Sequence, residues 1–116
     1  MDNFDIPIFR KAYDLHQTFH GYRDAIQKRD RHTIWERCEN ALLDIIEGIL
    51  AASEAYKAEK LPILKQVSIK LNLLRVLIRL AKDSKVIDIK KYLALEEMID
   101  EIGRMLGGWM RSTKEL

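Results

Sequence analysis

The stretch Leu64-Lys65-Gln66-Val67-Ser68-Ile69-Lys70-Leu71-Asn72-Leu73-Leu74-Arg75-Val76-Leu77-Ile78-Arg79-Leu80-Ala81 decides the fold. Within it Leu64, Val67, Leu71, Leu74, Ile78 and Ala81 recur at steps of three and four. Such steps keep side chains on one face of a helix, whereas a strand needs steps of two. The same rhythm appears three more times. It runs through Ile8, Ala12, Leu15, Phe19, Tyr22 and Ile26, then through Trp35, Cys38, Leu42, Ile45, Ile49, Ala52 and Tyr56. After the quoted stretch it returns in Tyr92, Leu95, Ile99, Ile102, Leu106 and Trp109.

Punctuation between the segments agrees with four helices, at about 6–27, 31–59, 62–83 and 88–112. Asp5 is placed to cap the first, with Pro7 in its opening turn, where a missing N–H costs little. Asp30 or Thr33 can cap the second, Pro62 suits the first turn of the third, and Asp88 can cap the fourth. The connections are short, so neighbouring helices are expected to run antiparallel, giving an all-α, up-down-up-down four-helix bundle. On these bounds the second helix is about 40 Å long, outreaches the third and projects from the bundle or meets a neighbouring subunit.

Composition supports one such domain over residues 1–116. The chain has 116 residues, 47% of them hydrophobic, with only five Gly and two Pro. That fills one core and leaves few turn residues for many short strands. Cys38 is the single cysteine, so neither an intrachain disulfide nor a cysteine zinc cluster is available, which fits a reducing cytoplasm. The acidic start Met1-Asp2-Asn3-Phe4-Asp5 does not resemble a signal peptide. The most apolar stretch, Leu71 to Ala81, is too short and too charged to span a membrane.

A net charge of +2 hides an uneven distribution. Residues 61–85 hold six basic residues against the single acid Asp83, while residues 1–60 hold nine basic against eleven acidic. Lys65, Ser68, Asn72, Arg75, Arg79 and Lys82 follow helical steps and form one polar stripe, read as lying opposite the apolar face. Such a stripe is the footprint expected of phosphate binding. It is also the footprint of pairing with the acids Glu36, Glu39, Asp44, Glu47 and Glu54 of the second helix, within a subunit or between subunits. The third helix also carries Ile63, Ile69, Leu73, Val76, Leu77 and Leu80 outside its main seam. That surplus reads either as a broad core face or as a surface for oligomerisation.

Catalytic and metal patterns are sparse. His16 and His20 stand four apart, but the paired Glu-x-x-His segments of a di-iron bundle are missing, so no metal site and no cofactor are expected. Cys38 falls on the apolar seam, as a structural thiol does. No phosphate-cradling glycine loop, nucleophile elbow or acid/base pair stands out, and the chain reads as a binding protein rather than an enzyme. Gly103 and Gly107, one turn apart, clear a face of the fourth helix for close packing, and Trp109 continues the apolar pattern beyond them.

Glu101-Ile102-Gly103-Arg104-Met105-Leu106-Gly107-Gly108-Trp109 resembles the C-terminal signature of the Avd family, the accessory variability determinants of diversity-generating retroelements. Leu74-Arg75-Val76-Leu77-Ile78-Arg79-Leu80-Ala81 resembles that family's third-helix motif. Ala41-Leu42-Leu43-Asp44-Ile45-Ile46 and Lys60-Leu61-Pro62-Ile63-Leu64 resemble its second helix and the following turn. The similarity covers roughly Trp35 to Ser112. It implies a four-helix protomer in a homopentamer, with a basic surface that binds RNA or DNA without sequence preference and docks a reverse transcriptase. Together these would support mutagenic complementary-DNA synthesis. The candidate nucleic-acid contacts are then Lys65, Arg75, Arg79, Lys82, Lys85, Arg104 and Arg111. Gly103, Gly107 and Trp109 are the candidate packing or oligomer residues.

Overall fold

Pro7 occupies the first turn of helix α1 (Pro7–Gly21), where its ring costs no hydrogen bond. The computed structural model describes residues 6–114, so the expected cap Asp5 lies outside the described residues. Three longer helices follow: α2 (Ile34–Glu54), α3 (Lys57–Asp83) and α4 (Ile89–Lys114). No strand occurs among the described residues. The main helix contacts run α1–α2, α2–α3, α3–α4 and α4–α1, closing a four-membered ring. Facing residues run in opposite order along neighbouring helices. Asp44 pairs with Lys70 and Gly48 faces Val67 between α2 and α3, while Arg75 meets Asp100 and Lys82 meets Tyr92 between α3 and α4.

The apolar seams converge on one core. Leu15, Phe19, Leu42, Ile45, Ile49, Leu64, Leu74, Ile78, Leu95 and Ile99 are almost fully buried. Each such side chain contributes about 1.5–3 kcal/mol relative to its exposed state. Phe19 and Trp35 stack across α1 and α2 with ring centroids 3.8 Å apart. Cys38 is buried in the same core, and burial pushes its thiol up to about 12, so it stays protonated. No helix among the described residues is long and apolar enough to cross a membrane.

The helix limits differ from those expected at three places, each for a local reason. Helix α1 stops at Gly21 rather than near residue 27. A 3-10 turn (Arg23–Ala25) and one helical turn (Lys28–Arg31) carry the chain to α2. Ile26 is nonetheless buried, from an extended backbone, so the apolar spacing outlasts the helix. Arg31 holds this connection by donating from Nε to the Ile26 carbonyl at 2.9 Å. Thr33 takes the N-cap position of α2, but its hydroxyl turns back to the Arg29 and Asp30 carbonyls instead of capping.

Between α2 and α3 the extended residues Ala55 and Tyr56 break the helix, and Tyr56 is 83% exposed. Lys60 Nζ then donates to the Ala52 carbonyl at 2.6 Å, satisfying an orphan acceptor at the end of α2. Consequently α2 has 21 residues and α3 has 27, the reverse of the expected lengths, and Pro62 lies inside α3 rather than in its first turn.

The turn from α3 to α4 follows the expectation closely. Val86 N–H donates to the Ala81 carbonyl and Lys85 N–H to the Lys82 carbonyl, the two bonds of a Schellman motif. Lys85 takes the left-handed position, φ 63°, that glycine usually fills. Asp88 caps α4, accepting from the Lys91 backbone N–H at 2.8 Å. That bond, with the Lys91 side-chain bond second, holds the Asp88 carboxyl below its ordinary value.

Candidate nucleic-acid interface

The basic stripe of α3 faces the groove toward α4. What lies opposite the core is apolar: Ile69, Val76 and Leu80 are 58%, 63% and 50% exposed. This corrects the expectation that the charged stripe stands opposite the apolar face. Of the surplus apolar residues only Leu77 joins the buried core, and Ile63 and Leu73 pack at its edge. Within the protomer the acids of α2 do not neutralise the stripe. Among the described residues the single ion pair between α2 and α3 is Lys70–Asp44, at 3.2 Å, and Lys70 is not a stripe residue.

Arg75 is held within the protomer. Its Nη1 donates to Asp100 Oδ1 at 2.6 Å, and its Nε is buried with no hydrogen-bond partner. The guanidinium lies across Gly103, where an added Cβ would come within 2.5 Å of Nη2. Gly103 is thus covered by the tip of an α3 side chain rather than by another backbone, and Gly107 meets only Arg111 of its own helix. Asp100 was not singled out from the sequence. A carboxylate one turn before Gly103 was the available signal, but α3–α4 register was needed to pair it with Arg75.

The other candidates are more open. Lys65 and Arg104 are exposed and make no ion pair among the described residues. Arg79 is exposed, with a long contact of 4.0 Å to Asp83. Lys82 is partly covered, 3.3 Å from Asp83 and 4.7 Å above the Tyr92 ring. The Tyr92 hydroxyl is bonded to Glu96, which raises its pKa. Arg111 is exposed and its guanidinium lies over Gly107 and Gly108. Trp109 packs against the core edge, half-buried. Lys85 is exposed on its turn.

Ser68, Asn72, Arg75, Asp100, Gly103, Arg104, Gly107 and Met110 line one open groove of about 430 Å³ between α3 and α4. The structure thus brings Arg75, Arg104, Gly103 and Gly107 together, and sets Lys82 and Lys85 apart at one end of the bundle. A groove of donors and glycine backbone suits an anionic chain, because donors reach it without side-chain crowding. The His16 and His20 rings stack 6.1 Å apart, and no cluster of three metal-ligating residues occurs among the described residues.

A search of curated proteins returned no match. A family match, to the group described as bAvd-like, spans residues 7–113 and so takes in all four helices and the α3–α4 groove. The chain is a member of the bAvd-like family.

Proposed function

We propose that this protein is a non-catalytic accessory factor of a diversity-generating retroelement, which binds RNA or DNA together with a reverse transcriptase and supports mutagenic complementary-DNA synthesis. Family membership over residues 7–113 carries this reading. Exposed cations without an ion pair in the protomer, Lys65 and Arg104, support a phosphate-binding surface. The exposed Ile69, Val76 and Leu80 support a homo-oligomer, a pentamer by the family resemblance.

The test is binding of a labelled RNA as salt is raised. Affinity should fall steeply, since each phosphate contact releases counterions with a slope of about −0.7 per contact on a single strand. Co-purification with a diversity-generating-retroelement reverse transcriptase checks the second partner. RNA binding that is absent, or indifferent to salt, refutes the phosphate-binding part. Arg75 is a poor residue for this test, because its loss also frees Asp100. Arg79→Glu with Arg104→Glu probes the surface instead.

The apolar face of α3 favours a second reading, a homo-oligomeric protein scaffold with no nucleic-acid role. In that case Val76→Glu should lower the particle mass by light scattering, while the wild-type protein ignores RNA.

A further inference from the structure

Basic charge gathers where two turns meet at one end of the bundle. That end carries the α1–α2 connection, residues 22–33, and the α3–α4 turn, residues 82–91. Each segment holds four Lys/Arg and two Asp, so this end has a net charge of +4 while the chain as a whole has +2. All other residues together are therefore net negative. The two segments are distant in sequence but adjacent in space: Lys91 Nζ lies 5.7 Å above the Tyr22 ring, and Ala25 and Ile26 share one open cavity of about 510 Å³ with Lys82, Lys85 and Lys91.

We infer that this pole is the primary docking site for single-stranded nucleic acid, with Lys28, Lys82, Lys85, Lys90 and Lys91 taking its phosphates. The inference rests on the nucleic-acid reading given above and assigns it a place. Three observations favour the pole over the α3–α4 groove. First, three exposed lysines of the pole, Lys28, Lys85 and Lys90, make no ion pair among the described residues, beside Lys82 and Lys91 that Asp83 and Asp88 hold, whereas the groove lining has Arg104 as its one unpaired cation and Arg75 tied to Asp100. Second, cations alternate with aromatic rings here, Lys91 over Tyr22 and Lys82 over Tyr92. Basic and aromatic groups so interleaved are what single strands use, phosphates drawing on the cations and bases on the rings. Third, Lys85 keeps a left-handed position that glycine fills with less strain, in a turn held by the Val86–Ala81 and Lys85–Lys82 backbone hydrogen bonds. An acidic protein would use the cations but not the rings.

The experiment compares two charge reversals of equal size by fluorescence anisotropy, using a labelled oligouridine and a duplex of equal length, between about 50 and 200 mM salt. The pole variant is Lys28→Glu/Lys85→Glu/Lys90→Glu, and the groove variant is Lys65→Glu/Arg104→Glu/Arg111→Glu. The pole variant should lose roughly tenfold or more in affinity for the single strand and show a shallower salt slope, while the groove variant, whose Lys65 and Arg104 add secondary contacts, should lose markedly less. Equal losses in the two variants, or a larger loss in the groove variant, overturn the assignment. So does a polyglutamate that competes as well as the oligouridine, which would mark a generic acid site. Wild-type protein that binds neither probe at low salt refutes the nucleic-acid reading itself, and the pole assignment with it. Lys85→Gly guards against misfolding: it should raise Tm while weakening binding, and unchanged binding counts against the pole.

Discussion

The two long seams of α3 use the same device for opposite ends. Toward α2, Gly48 admits Val67: an added Cβ would stand 2.5 Å from Val67 Cγ2. Toward α4, Gly103 admits Arg75, with the same 2.5 Å to Nη2. The first visitor is a stiff, buried, β-branched side chain, and the second is the far end of a long, partly exposed one. At Gly48 the α2 seam is therefore filled by packing, with a smaller groove of about 250 Å³ and the Lys70–Asp44 pair beside it. The α4 seam is spanned by an ion pair with an open groove on each side of Arg75, about 430 and 360 Å³. A glycine in a helix marks close approach in both cases. Only the visiting residue tells whether the approach builds core or leaves a polar surface.

Substitution at the two glycines tests that contrast most directly. Gly48→Ala should destabilise by up to about 2 kcal/mol, an overpacking cost of ~1–3 kcal/mol set against the ~1 kcal/mol by which Ala is the better helix former. Chemical denaturation would measure it. Adding Val67→Ala should recover part of the loss, so the double-mutant cycle should be clearly non-additive. If the two changes simply add, the α2 seam is not filled as described.

Arg75→Ala should cost less, within about 1 kcal/mol, because both members of its pair are partly exposed and screened. Gly103→Ala should be smaller still, under about 0.5 kcal/mol, since the guanidinium can swing aside and helix propensity compensates. A Gly103→Ala cost equal to that of Gly48→Ala would erase the difference between the seams.

The pH responses sharpen the same contrast. On the packed side, the Cys38 thiol is raised from 9.0 to about 12. The unfolded thiol ionises first, so the Cys38 contribution to stability is complete below pH 9.0 and declines above it, and Cys38→Ala should remove that part of the alkaline decline. A thiol-specific reagent should modify native Cys38 only slowly at neutral pH. On the open side, the depressed Asp88 carboxyl stabilises α4 above its unfolded value and loses that effect as pH falls through the lower folded value. Asp88→Asn should flatten this acid limb, the smallest of the expected effects, visible as a reduced pH dependence of Tm.

Much of the fold was legible in the sequence. Leu64, Val67, Leu71, Leu74, Ile78 and Ala81 were placed on one face by spacing alone, and all six are buried. Asp88 was identified as a cap because capping needs only residues three positions apart. Ile26 and Tyr56 misled the helix limits. Both keep the apolar rhythm, yet one is buried from a turn and the other is almost free in solvent. Periodicity records which side chains are apolar, and backbone continuity is a separate matter. Gly48 drew no notice because a lone glycine has no spacing to betray it.

What the sequence determined by itself was the set of local relations: four amphipathic helices, one core face on each, and a cap at Asp88. These depend on residues within a turn or two of one another, which the chain fixes without its partners. The tertiary structure alone decided that Arg75 is tied to Asp100, that Ile69, Val76 and Leu80 stand clear of the core, and that residues 22–33 and 82–91 form one basic pole. Each is a relation across separate elements. Helix rotation and register fix such relations, and these follow from packing of the whole bundle rather than from any single segment.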